Sequence, residues 1–335
     1  MSNFYDVVIV GAGCVGASVA RELSSNSDLR ILVIDEGDIA ARATGKSGGM
    51  VRVYHQSDDL TDLARESIKS FWGPEFQTTG SFYLVPEGQL EVAREKVRKL
   101  KETGYPVDLL TPSEAKKYFP QFDFSFSYVV YEPKAGFASP VSLTRTWIQE
   151  SMDRGVGVLL RTRLIRIHRR TDSLELDTSA GKLLARTVVL ATGAGTVSVL
   201  QKHQIRLPMK VKEIRVKASS VDGFLPRQPF YFDYTDLSFA GVRKTAQGQE
   251  LLSSHAGVPL RLPALGNLSV RLDYHELDSY TEDREGILRF IPAYPGLLVC
   301  SGWGGTAFKL SPAIGSRARD LVTAFLHQEV SHVTA

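Results

Sequence analysis

The first apolar run, Val7-Val8-Ile9-Val10, is unbroken and bounded by Asp6 and Gly11. Successive β-branched residues with no polar face predict a strand buried on both sides, as in a parallel sheet. Small residues from Ala12 to Ala20 predict a helix that can lie close to it, and Ile31-Leu32-Val33-Ile34 predicts a second buried strand ending at Asp35. Helical spacing returns from Asp59 to Phe71, with Leu60, Leu63, Ala64, Ile68 and Phe71 on one face. It returns again from Leu90 to Thr103, through Leu90, Ala93, Val97 and Leu100, where Glu95 and Lys99 sit one turn apart on a solvated face. Thr111-Pro112-Ser113-Glu114 opens a short helix, and Val141 to Arg154 forms a longer one.

Extended segments are predicted at Thr79–Pro86, Tyr128–Tyr131, Val156–Leu160 and Arg163–Ile167. Leu174–Leu176 and Leu183–Leu184 fit a hairpin, and Val188–Leu190 reads as a separate buried strand running into Ala191-Thr192-Gly193. The basic residues Arg161, Arg163, Arg166, His168, Arg169 and Arg170 suit either a solvated edge strand or a docking patch for an acidic partner. From Val211 to about Tyr280 aromatics and turn residues alternate, which favours a largely antiparallel sheet in a second domain. Gly296–Cys300 is another buried strand, and Pro312 to Leu326 is the last predicted helix, with Ser311 as its N-cap.

The glycines at the end of the first strand give this pattern its chemistry. In Gly11-Ala12-Gly13-Cys14-Val15-Gly16, Gly11 allows a tight turn, Gly13 lets the backbone close on a pyrophosphate, and Gly16 lets the helix approach the strand. Free N–H groups at the helix start hold phosphate charge. Asp35, nineteen positions after Gly16, is placed to accept hydrogen bonds from ribose hydroxyls, with Glu36 beside it. The strand, glycine turn, helix, strand and acid together predict a dinucleotide-binding βαβ unit.

Composition narrows the class further. The 335 residues, 43% hydrophobic and 23% charged, suffice for one large or two medium globular domains. A net charge of +3 gives no case for nucleic acid or a membrane surface. No apolar run approaches the ~20 residues of a membrane span. Two cysteines, Cys14 and Cys300, both in apolar segments, suggest reduced thiols. The first nucleotide-binding strand begins almost at Met1, so no signal peptide is expected and a cytoplasmic location is.

With these segments placed, the chain resembles the flavoenzyme family of glycine oxidase, monomeric sarcosine oxidase and D-amino-acid oxidases and dehydrogenases. The resemblance covers nearly the whole length and rests on Asp6–Asp35, the loop Gly45–His55, the region Val156–Gly195 and the segment Val299–Gly315. It implies FAD held by Gly11, Gly13, Cys14, Val15, Gly16, Asp35 and Glu36, by Thr44, Lys46, Ser47, Gly48, Gly49 and Met50, and by Leu164 at the adenine. It also implies Ala191, Thr192 and Gly193, with Gly302, Trp303, Gly304, Gly305, Thr306 and Ala307 near the flavin ring. Arg52 matches an arginine kept close to the flavin. Lys309 matches a lysine that grips a substrate carboxylate; beside Phe308 and Leu310 it also reads as a solvent-facing strand residue. Glycine-rich N–H groups and a nearby cation would stabilise the negative charge of a reduced flavin.

The chain departs from the family's pattern at several positions. Asp278 stands where many relatives carry a carboxylate-binding arginine, and an acid there favours a cationic substrate group unless it only caps a turn. His55 replaces a second such arginine. The oxygen-activating lysine of sarcosine oxidase falls near Leu251, with Lys244 the nearest substitute, which leaves both an oxidase and a dehydrogenase open. The cysteine that carries covalent flavin falls at Glu276, so FAD is expected to be non-covalent. Tyr54, His55, Tyr231, Tyr234 and Tyr274 are candidate pocket walls, with core packing the alternative for aromatics at such spacing.

The expectation is an α/β fold. Residues 1–78, 136–210 and 290–335 would form an FAD-binding Rossmann-like domain, and 79–135 and 211–289 a substrate domain with a large mixed or antiparallel sheet. The expected reaction is oxidation of the C–N bond of a small amine or amino acid, by hydride transfer to flavin N5, to an imine. Electrons would pass to O2, a quinone or a partner flavoprotein. No metal is implied. Alternatives are a biosynthetic tailoring flavoenzyme or a flavoprotein subunit of a multi-subunit dehydrogenase.

Overall fold

A computed structural model describes residues 4–70, 72–120, 122, 124, 127–220, 229–233, 238–245, 248–254 and 269–333. Phe71 and Tyr234, named above, lie outside these residues. The chain forms two compact units, one of residues 1–47, 140–214 and 276–335, the other of 48–139 and 215–275. Residues 48–78, grouped above with the FAD-binding segments, cluster in unit 2, and the boundaries at 214/215 and 275/276 fall inside the strands Met209–Ser220 and Ser269–Thr281.

Unit 1 is built on the predicted βαβ start. Strand β1 (Phe4–Val10) leads through the glycine turn into helix α1 (Cys14–Leu23) and on to strand β2 (Ile31–Ile34). β1 pairs in parallel with β2 on one side and with the strand Gly181–Leu190 on the other. β2 is flanked by Gly157–Leu159, again in parallel. These strands carry no polar face because both faces are covered, and Val7, Val8, Ile9, Val33 and Val188 have no exposed surface.

The strand Gly181–Leu190 corrects the sequence reading, which divides it into a hairpin arm and a separate strand. Residues 181–185 pair antiparallel with Leu174–Thr178, whereas Val188, Val189 and Leu190 pair in parallel with Leu297, Leu298 and Val299. The partner changes midway while the strand continues. With Leu164–Arg169 and Ile287–Ile291 these strands complete an eight-stranded sheet.

The last helix is also corrected. It begins at Ala307, after a 3₁₀ turn at Gly304–Thr306, and not at Pro312. Pro312 cannot donate to the carbonyl of Phe308, but the Ser311 hydroxyl does so at 2.8 Å. This local substitution lets the helix run through the proline, so Ser311 is not an N-cap.

Unit 2 centres on a second eight-stranded sheet. Its pairings Ser81–Pro86 with Ser127–Glu132, and Phe239–Thr245 with Gly248–Ser253, are antiparallel, while Phe230–Asp233 joins Ser81–Pro86 in parallel. Phe82 fills the core, edge-on to Phe119, Phe122 and Phe124. The helices lie close to their predicted bounds: Asp58–Ser67 is capped by Ser57, Leu90–Glu102 follows, and Pro112–Tyr118 opens with the capping box of Thr111 and Glu114. A three-stranded sheet of Met50–Val51, Gly136–Phe137 and Gln77–Thr78 carries the chain to Arg52.

Candidate active site

In unit 1 the glycine turn is closed from several directions. Gly11 has φ +115°, and a Cβ there would meet the Ala191 carbonyl oxygen at 2.3 Å, so the turn lies directly on Ala191-Thr192-Gly193. A Cβ on Gly16 would lie 1.9 Å from the Gly11 carbonyl oxygen. The Asp35 carboxylate accepts Ala12 N–H at 2.6 Å and Gly37 N–H at 2.7 Å. Thr44 Oγ1 accepts Cys14 N–H at 3.1 Å and brings the turn Ala43–Lys46 to the start of α1. Thr44 takes one N–H of the helix start and no acid stands in the first turn of α1, so the remaining positive helix end suits an external anion.

The carboxyl ends of the neighbouring strands meet beside this turn. Ser301 Oγ donates to the Gly193 carbonyl at 3.1 Å and lies 3.0 Å from Ser279 Oγ. Beyond Ser301, a Cβ on Gly304 would fall inside the Tyr280 ring. In open parallel sheets the ligand crevice lies at these carboxyl ends. Cys14 and Cys300 are buried there as free thiols, and burial pushes Cys14 up to about 11 and Cys300 higher still. Leu164 opens its strand at the edge of the same sheet, 7% exposed.

Asp278 and Lys309 are the charged candidates of unit 1. Asp278 is 8% exposed, and among the described residues its carboxyl accepts the N–H of Ser279, at 2.8 Å. Burial, with a smaller contribution from the charge of Glu276, pushes it up to about 6, and its charge in turn acts on Cys14 and Tyr280. Lys309 is buried in the first turn of the last helix, so it is not a strand residue facing solvent.

In unit 2, Arg52 is 6% exposed and donates through Nη1 to the Tyr54 carbonyl. Its guanidinium lies 5.1 Å from the Tyr83 ring centre and 5.2 Å from that of Phe232. Burial lowers its pKa, opposed by the charges of Tyr83 and Glu132. His55 is buried, with its N–H on Thr61 Oγ1 at 3.2 Å. Glu132, Tyr83, Phe232 and Tyr105 escape the sequence reading. Glu132 ends a strand in Tyr131-Glu132-Pro133 and carries no motif.

Among the other candidates, Leu251 is 1% exposed inside the unit 2 core, and Lys244 is tied through its backbone to Gln77. Among the described residues one His-acid group, His168, Glu175 and Asp177, has metal-ligand proximity, but Lys182 bonds both acids.

The family described as "DAO: FAD dependent oxidoreductase" matches residues 6–321. The chain belongs to this family. Its cofactor is FAD, and unit 1 fits that group: a helix start with no acid in its first turn, a glycine turn with no room for a Cβ at Gly11 or Gly16, and an acid at the close of β2. The flavoenzyme is 24% identical over 322 residues to monomeric sarcosine oxidase of Bacillus sp. (strain B-0618), covering 88% of this chain and 78% of that one. It is 24% identical over 355 residues to glycine oxidase of Geobacillus kaustophilus (strain HTA426), covering 96% and 94%. Among solved structures, L-proline dehydrogenase from P. horikoshii superposes with a TM-score of 0.85 at 19% identity, over 97% of this chain and 94% of that one. No helix of the described residues is long and apolar enough to cross a membrane.

Proposed function

We propose that this FAD-dependent oxidoreductase oxidises the C–N bond of a small amino acid or N-substituted amino acid to the imine. Bound FAD supplies the acceptor for the hydride leaving the carbon beside nitrogen. The observation that carries the reading is Arg52: a buried guanidinium whose partners among the described residues are one backbone carbonyl and two aromatic faces, with no described carboxylate within ion-pair distance. Such a group has donors left for an anion. In unit 1, Asp278 is a buried carboxyl to which no cation among the described residues is bonded, so its charge favours a cationic group. The chain's work is then to bind the carboxylate, orient the nitrogen and stabilise charge.

The names of relatives support the same class: sarcosine oxidase, glycine oxidase and N-methyl-L-tryptophan oxidase each act on an amino acid. Leu251, buried where an oxygen-activating lysine would be expected, favours a quinone or a partner flavoprotein over O2 as electron acceptor. Buried thiols with raised pKa values are poor nucleophiles, which supports non-covalent FAD, and their free state accords with a cytoplasmic location.

Mixing the holoenzyme anaerobically with D- and L-amino acids and their N-methyl derivatives tests the reading. Bleaching of the flavin absorbance by at least one of them is expected, with slow reoxidation in air and fast reoxidation by a quinone. A flavin that no amine reduces would overturn it.

A further inference from the structure

The chain from Arg52 to His55 leaves the short strand Met50–Val51 and joins no other, so its amides have no ladder partner. A side chain takes that place. Glu132 Oε2 accepts Val53 N–H at 2.7 Å and Tyr54 N–H at 3.1 Å, and also the Tyr105 hydroxyl at 3.0 Å. Ser81 Oγ donates to Oε1 at 3.4 Å. Glu132 has no exposed surface. A carboxylate so deeply buried is expensive unless donors and a nearby cation compensate it, and here both do.

We propose that Glu132 is the positioning residue for Arg52: by holding the amides of Val53 and Tyr54 it aims the Tyr54 carbonyl that orients the guanidinium. The steps form one chain of contacts within unit 2. Pairing of Val51 with Gly136 fixes the backbone before Arg52, and Glu132 fixes it after. Tyr54 then offers its carbonyl to Arg52 Nη1, while the rings of Tyr83 and Phe232 confine the guanidinium. Burial lowers the pKa of Arg52, and the charge of Glu132, after that of Tyr83, opposes this at longer range. Tyr105 remains a hydroxyl donor, because burial and the adjacent Glu132 both resist its ionisation.

This inference rests on the reading of Arg52 as an anion-binding group, and the test separates the two. Acetate, a plain carboxylate, is titrated into the holoenzyme and followed by the flavin spectrum, in wild type, Glu132→Gln, Arg52→Met and the double variant. Amide hydrogen exchange is measured on the same samples. Glu132→Gln is expected to weaken acetate about tenfold or more and to speed exchange at Val53 and Tyr54, leaving Phe82 to Leu84 protected. Arg52→Met is expected to weaken acetate at least as much, and the double variant no further, because Glu132 acts through Arg52.

Equal losses from Glu132→Gln with and without Arg52, or no loss at all, would overturn the positioning role and leave the reading of Arg52 standing. Wild-type acetate affinity in Arg52→Met would overturn both. Should Glu132→Gln fail to fold, Tyr105→Phe removes one donor from Oε2. It is expected to weaken acetate by a smaller factor, and only while Arg52 is present; a loss independent of Arg52 overturns the proposal.

Discussion

Asp35 accepts the amide of Ala12 at 2.6 Å, so the acid that follows β2 closes the turn that follows β1. The same carboxylate takes Gly37 N–H at 2.7 Å. It therefore shapes the cofactor's turn besides offering oxygen atoms to a ribose. Hydrogen bonds to a charged group are worth about 1.5–3 kcal/mol each. Asp35→Ala is expected to raise the FAD dissociation constant by roughly ten- to a hundredfold, read by titrating apoprotein with FAD. Unchanged affinity would remove Asp35 from the cofactor site.

Gly16 tolerates no side chain. Its Cβ would stand 1.9 Å from a backbone oxygen of Gly11, which cannot rotate away as a side chain would. Overpacking of this kind costs about 1–3 kcal/mol or more. Gly16→Ala is expected to lower the melting temperature and to abolish FAD retention on a desalting column. Gly88→Ala, where the new Cβ meets nothing within 4 Å, is the control and should behave as wild type.

Asp278 imposes a pH dependence of known sign. Its pKa rises from 3.8 to about 6 on folding, first through burial and then through Glu276. The folded state thus binds the proton more tightly, and this contribution to stability is full below pH 3.8 and lost as pH rises through about 6. A shift of this size corresponds to about 3 kcal/mol. Without substrate, Asp278→Asn is expected to gain stability over wild type between pH 4 and pH 7 in thermal melts of the holoenzyme. Once ionised, the carboxyl should attract a substrate cation, so the affinity of wild type for a reducing amine should rise over the same interval and that of Asp278→Asn should not. Parallel curves would assign Asp278 to turn capping.

His203 acts in the opposite sense. Its Nε2 accepts Ile167 N–H at 3.2 Å, and Nδ1 lies 3.1 Å from the Tyr294 hydroxyl, which requires a neutral ring. Partial burial, then the charges of Arg166, His168 and Lys202, lower its pKa below 6.5. A lowered value means that its contribution is present above pH 6.5 and lost as pH falls through the folded value. His203→Gln is expected to flatten the decline in stability on acidification, and an unaltered pH–stability curve would exclude the bond.

The sequence by itself determined the cofactor end of the molecule. β-branched runs, a glycine turn and an acid at fixed spacing depend on neighbours a few residues away, and each folds as its local pattern dictates. Locality also explains the misreadings. The strand Gly181–Leu190 was divisible in sequence because its partner changes halfway along, and the last helix seemed to start at Pro312 because Ser311 repairs the proline's missing bond. Only the tertiary structure decided how Arg52 is held. Its support comes from Glu132, bonded to Val53 from 79 positions away, and from Tyr83 and Phe232 on two further strands. No periodicity records such a contact, because a buried carboxylate is stabilised by whichever donors the packed sheets bring to it.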